Sequence, residues 1–332
     1  MAKDKMPIKK TPPPVGGRRL NSQEERPQRL FPRNETFGLD LSNDVEIEGY
    51  VEPGEFTPVI DPHYVFPKDE TRIVLWGLRN GDRILATGHT GTGKTSLFEQ
   101  IAAHLNYNVF KLSFDSHISR ADLVGEYIIR GQEMTFVHGI LPVAMRTPGS
   151  LILLDEWDTI NEDTSFVLQR LLQREDGKIL IYENGGEIVK LHPSNVVAAT
   201  ANTVGQGDDT GLYSHGTRNQ NYAQLNRFGL TIRLDYLPAE EEKKILMRKF
   251  KHQDLKPHEA EAFVKTINKV RDGFANGQLS VPLSTRDLIN WVEKYLYIGN
   301  PHLAATYCFL NRMTLEDGEV CKGIIQRAFE EA

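Results

Sequence analysis

The 332-residue chain has only two cysteines, Cys308 and Cys321. They are too few for a disulfide framework, and two thiols alone do not make a zinc site. No apolar run approaches the roughly 18 residues needed to cross a bilayer, and the mean hydropathy is -0.41. The first residues, Met1 to Pro7, lack the apolar stretch of a secretory leader. These absences predict a cytoplasmic protein with no membrane association. An excess of positive charge is also missing. The formal net charge is -6, so the chain as a whole does not attract nucleic acid. What is present, 39% hydrophobic and 25% charged residues, suits a globular chain with a sizeable core. Its length allows about two domains.

Charge is unevenly spread. Residues 1–35 carry nine Lys and Arg against four Asp and Glu, whereas residues 36–56 carry six acids and no base. With Pro12-Pro13-Pro14, Gly16-Gly17 and few apolar residues, 1–55 read as a disordered arm, basic and then acidic. Apolar β-type runs then alternate with helical spacing. Strands are predicted at 83–87, 108–113, 150–154, 195–200 and 230–234. A helix follows the first, with Leu97, Phe98, Ile101, Ala102 and Leu105 on one face. Strands separated by helices predict an α/β fold with a five-stranded parallel sheet over residues 56–236. From Pro238 the pattern is helical, which predicts a separate lid domain over 237–332.

The chemistry is concentrated at the ends of these strands. Gly88, His89, Thr90, Gly91, Thr92, Gly93, Lys94 and Thr95 fit G-x-x-x-x-G-K-[ST], between a strand and a helix, and with Ser96 they are the expected ATP-binding residues. Glycines let backbone N–H groups turn inward around phosphate oxygens, and the helix N-terminus adds partial positive charge. Lys94 would reach the β- and γ-phosphates of ATP and the Thr95 hydroxyl would hold Mg²⁺. Sixty residues after Thr95, the strand Leu151 to Leu154 delivers Asp155 and Glu156. Asp155 would hold Mg²⁺ through water and Glu156 would polarise the attacking water. Asn202, after the fourth strand, would orient that water.

Phosphoryl transfer also needs positive charge near the γ-phosphate in the transition state. Arg227, just before the fifth strand, would project at a neighbouring subunit as an arginine finger, with Arg218 and Arg174 as weaker alternatives. Arg286 follows Ser284 and Thr285, either of which can cap a helix. From a lid domain it would reach back to the γ-phosphate. The scattered histidines, among them His89, His117, His138, His192 and His215, form no metal-ligand cluster.

Together these residues resemble the AAA+ ATPases, and within them the MoxR-like branch, over roughly residues 60–300. Two hairpins support this, one over Tyr127 to Val137 turning at Gly131 and one over Lys178 to Leu191 turning at Gly185-Gly186. The stretches Ile60 to Tyr64, His117 to Gly125, Gly139 to Pro142, Gln169 to Glu175, Ala199 to Gly205, Gly211 to Tyr213 and Gln224 to Phe228 resemble the CobS family, the small ATPase subunits of aerobic cobaltochelatases. Asn226 stands where that family usually has Asp. The resemblance implies a homo-oligomeric ring, a hexamer, with ATP between subunits. It also implies a partner with a von Willebrand A-type domain and a large chelatase subunit holding the corrin precursor and cobalt.

Three other functions share these residues. A MoxR-type remodelling ATPase could serve another client with the same nucleotide site. A DNA motor is supported only by the basic arm. An ATP-gated scaffold is disfavoured by the intact set Lys94, Asp155, Glu156 and Asn202.

Overall fold

The computed structural model describes residues 26–114, 118–203 and 225–330. The expectation of a disordered arm through residue 55 is corrected over 26–55. Strand β1 (Gln28–Pro32), helix α1 (Arg33–Phe37) and strand β2 (Glu46–Tyr50) form a small antiparallel unit. Its apolar residues are few but well placed. Phe31, Phe37, Leu39 and Ile47 are buried in one cluster with α-helical and strand residues of the nucleotide-binding region. At about 1.5–3 kcal/mol per fully buried large apolar side chain, such residues can hold an otherwise polar segment. The Tyr50 amide donates to the Leu105 carbonyl at 2.9 Å, and Asn106 Nδ2 donates to the Tyr50 carbonyl at 2.8 Å. Residues 1–25 of the arm, with six of the nine bases of its basic part, lie outside the described residues.

Helix α2 (Lys68–Asn80) has Asp69 and Glu70 in its first turn, Arg79 in its last and Gly81 in the left-handed region as its cap. It leads to β3 (Ile84–Thr87), α3 (Lys94–His104) and β4 (Asn108–Ser113). Next come α4 (Arg120–Val124), the hairpin β5 (Gly125–Arg130) and β6 (Glu133–His138), and α5 (Ile140–Arg146). Strand β7 (Ser150–Asp155), α6 (Glu162–Leu171), the hairpin β8 (Lys178–Ile181) and β9 (Glu187–Lys190), β10 (Val196–Ala201) and β11 (Leu230–Arg233) complete the region.

Strands β3, β4, β7, β10 and β11 form the expected five-stranded parallel sheet, in the order β11-β3-β10-β7-β4. Its three central strands are buried along their whole length, as sheets covered on both faces require. One apolar cluster lies on each face. Because all strands run the same way, their C-terminal ends, at Thr87, Asp155 and Ala201, share one edge of the sheet.

The two hairpins are tied to each other. Glu187 on β9 accepts from His138 on β6 at 2.7 Å and pairs with Arg146 on α5. Arg120 on α4 donates to Glu183, in the turn after β8, at 2.6 Å. Burial would raise the Glu187 pKa, but hydrogen bonds from His138, Asn184 and Arg146 outweigh it and hold the carboxyl at about 2.

Helices α7 (Ala239–Lys249), α8 (Pro257–Ala275), α9 (Thr285–Ile298), α10 (Pro301–Cys308) and α11 (Leu315–Glu330) pack around a core of their own. At its centre Phe263 meets Trp291 edge-on with centroids 4.5 Å apart. Among the described residues, no helix is long and apolar enough to cross a membrane, and no three His, Cys, Asp or Glu side chains cluster to hold a metal ion.

Candidate active site

The loop from Gly88 to Gly93 joins β3 to α3. Gly88, Gly91 and Gly93 have φ of +145°, +78° and +91°, a range L side chains rarely adopt. Space is as restrictive as conformation. A Cβ on Gly88 would sit 2.1 Å from the Leu234 carbonyl oxygen, and one on Gly91 would sit 2.1 Å from Ser284 Cβ. The second contact brings the lid onto the loop, because Ser284 caps α9. Its hydroxyl accepts from the Asp287 amide, and the Asp287 side chain answers the Ser284 amide. Arg286 lies in the first turn of α9 and is exposed, two residues from the contact with Gly91.

Lys94 is 7% exposed. Its Nζ donates to the Gly88 carbonyl at 2.7 Å, to the His89 carbonyl at 2.9 Å and to Asn202 Oδ1 at 3.0 Å. Burial pulls the ammonium down to about 8, and the attraction of Asp158, Asp155 and Glu156 only partly offsets it. Lys94 and Asn202, predicted from separate motifs, are thus in direct contact.

Asp155, at the end of β7, gathers three donors. Thr95 Oγ1 donates to its Oδ1 at 2.7 Å, Thr200 Oγ1 donates to the same oxygen, and Lys111 Nζ lies 2.8 Å from Oδ2. Burial would push its pKa up, but the hydrogen bonds from Lys111, Thr200 and Thr95 outweigh it and hold the carboxyl below its ordinary value. A hydroxyl beside an ionised carboxylate is the hard-oxygen donor set Mg²⁺ prefers, so Thr95 and Asp155 fit that ion. Glu156 is exposed and has φ of +59°, unusual for a residue with a Cβ. Its amide donates to Thr200 Oγ1 at 3.2 Å. Partial burial, then the charges of Asp155 and Asp158, raise its pKa.

Three residues here are not among the site residues expected from the sequence. Asp158 is fully buried. Its Oδ2 accepts from the amides of Asn202 and Thr203, both at 2.9 Å, and from Thr203 Oγ1 at 3.1 Å. It therefore fixes the backbone that presents Asn202. Lys111 and Thr200 hold Asp155. Their places late in β4 and β10 put Lys111 and Thr200 toward this edge, but only the sheet order makes them neighbours of Asp155.

Arg227 and Arg174 lie elsewhere. Arg227 donates to the Gln169 carbonyl on α6 at 2.9 Å, and the structure does not bring it to Lys94. Next to it, Phe228 meets Trp157 edge-on at 5.6 Å. Arg174 is held within its own chain, 3.0 Å from Asp82 and 2.8 Å from the Asn80 carbonyl. Arg218, His117 and His215 lie outside the described residues.

A glycine cradle at a strand end, a buried lysine and an apolar strand ending in Asp155 beside it define a P-loop nucleotide site, here of an AAA+ ATPase. Residues 83–223 match the model of the AAA domain, dynein-related subfamily. The chain is 35% identical over 309 residues to the aerobic cobaltochelatase subunit CobS of a Sinorhizobium species, covering 91% of each. It is 29% identical over 185 residues to the denitrification regulatory protein NirQ of Stutzerimonas stutzeri, covering 56% of this chain and 63% of NirQ. It is 28% identical over 235 residues to the putative chaperone BssE of Thauera aromatica, covering 69% and 76%. The chain belongs to the MoxR-like branch of the AAA+ ATPases, close to CobS.

Proposed function

We propose that the chain is the Mg-ATP-hydrolysing subunit of an oligomeric ring that drives cobalt insertion into a corrin precursor together with partner chelatase subunits. The similarity to CobS along 91% of both chains carries the choice of task. In this reading the amides of residues 88–93 and Lys94 bind the phosphates, and Thr95 and Asp155 hold Mg²⁺. When bound, that ion would neutralise charge on the β- and γ-phosphate oxygens. Glu156 accepts the proton of the attacking water. Partial burial and the nearby charges of Asp155 and Asp158 raise its pKa above the ordinary carboxylate value, which makes it a better base. Asn202, held by Asp158 through its amide, orients that water. Arg286 acts on the γ-phosphate from the lid, and Arg227 acts on the nucleotide of the next subunit. A homo-hexamer is the expected assembly, with a von Willebrand A-type partner linking it to the large chelatase subunit.

A second reading is a MoxR-type remodelling ATPase for another client. The similarity to NirQ and BssE favours it. The nucleotide chemistry is the same in both.

Mixing subunits tests the shared interface. Arg227→Ala and Lys94→Ala chains are each expected to be inactive alone. Mixed, they are expected to regain part of the ATP turnover, because some interfaces then carry an intact arginine and an intact lysine. No recovery at any ratio would remove Arg227 from its role. Capture of partners from the native host, read for a large chelatase-like subunit, separates the two tasks.

A further inference from the structure

Arg271, on α8 of the lid, is 8% exposed and faces Glu242, which is fully buried. A guanidinium has five N–H donors, and here each has an acceptor. Two go to the Glu242 carboxylate, both at 2.8 Å. One goes to the Leu283 carbonyl at 2.9 Å, one to Asn268 Oδ1 at 3.1 Å and one to Thr285 Oγ1 at 3.5 Å. Thr285 in turn donates to Glu242 Oε1 at 2.7 Å. The guanidinium carbon also lies 3.9 Å from the centre of the Tyr236 ring, a cation–π stack. Tyr236 donates from its hydroxyl to the Thr90 carbonyl of the phosphate loop at 3.2 Å.

These contacts close a circuit. Arg271 grips residues 283 and 285, the two chain neighbours of Ser284. Ser284 is the residue seated on Gly91. Through Tyr236 the same guanidinium is tied to Thr90, next to Gly91. A second contact runs parallel to it, with the His89 ring meeting the Phe274 ring of α8 edge-on at 5.7 Å. The phosphate loop and the start of α9 are therefore held in register by one buried cation, and Arg286 is the next residue beyond the gripped segment.

We propose that Arg271 is a positioning residue for ATP turnover. With Glu242 and Tyr236 it fixes the start of α9 against the phosphate loop, so that Arg286 is delivered to the γ-phosphate and a shift of the loop is passed to the lid. This rests on the assignment of Arg286 given above. A planar fork is needed for the task. Lysine keeps the charge but offers three donors, no bidentate geometry and a poorer stack.

The test measures phosphate release and ATP affinity for the full chain and its Tyr236→Phe, Arg271→Lys and Arg286→Ala variants, singly and in pairs. Tyr236→Phe removes one hydroxyl and keeps the ring. It is expected to lower kcat about 3-fold, with melting temperature and ATP affinity unchanged. Arg271→Lys is expected to lower kcat about 10- to 100-fold, as misplaced catalytic groups do. In the Arg286→Ala background neither change should lower kcat further, a dependence that a merely structural role would not produce. Losses that multiply in the pairs, or an unchanged kcat in Tyr236→Phe, would overturn the proposal. If Arg271→Lys melts early, Tyr236→Phe carries the test alone. An Arg286→Ala chain with full turnover would overturn the assignment of Arg286 itself, and the proposal with it.

Discussion

Lys94 and Arg271 are both buried cations, but they are held differently. Lys94 donates to two carbonyls of its own loop and to one neutral amide. Arg271 has a bidentate carboxylate and four further contacts around it. The lysine is in an environment that disfavours its charge, which suits a group whose natural partner is a phosphate. The arginine is in an environment complete without any ligand. The first arrangement gives up stability for binding, and the second gives a fixed geometry to the parts around it.

The largest effect expected from this contrast is at the site itself. Glu156→Gln should lower ATP turnover by about a thousandfold or more while leaving ATP bound, as measured by phosphate release and by retained nucleotide after gel filtration. Normal turnover would remove Glu156 from its role. Next comes stability. Arg271→Ala leaves the Glu242 carboxylate buried and unpaired, which costs about 3–5 kcal/mol in denaturant unfolding of the lid. Lys94→Met should leave stability unchanged or raised, because it removes a charge the fold disfavours. Equal losses for both would break the comparison.

The smallest effect is on pH. In the free protein Lys94 is charged below about pH 8 and neutral above it. Bound phosphate favours the charged form, so binding takes up a proton above that pH. ATP affinity should therefore be flat below about pH 8 and weaken about tenfold per unit above it. A titration by equilibrium binding checks this, and Lys94→Met should show no such slope.

The phosphate loop was legible because its chemistry is backbone chemistry. Glycine spacing, one lysine and one hydroxyl lie within eight consecutive residues between a strand and a helix. The three central strands were legible because burial on both faces leaves nearly continuous apolar runs, such as Ile152 to Leu154. The order of 26–55 was not legible. Its apolar residues are too few to make a core and succeed only by joining one built from Leu97, Phe98, Ile101 and Leu105. Asp158 reads in sequence as one more acid in a turn, and only the neighbouring strand shows what it holds. Glu242 and Arg271 are 29 residues apart on different helices, and no local pattern links them. Arg174, a weaker alternative for the intersubunit role, pairs with Asp82 of its own chain, a contact between residues far apart in sequence that no local pattern shows.

The ties between the two hairpins have a mechanical consequence. His138, Arg146, Glu183, Glu187 and Arg120 join β6, α5, β9, α4 and the turn after β8 across gaps that the backbone does not bridge. Partly exposed ion pairs are individually weak, but two of these meet on Glu187. Glu187 therefore couples the second hairpin to both the first hairpin and α5 through one carboxylate, so that its loss would free the two hairpins from each other.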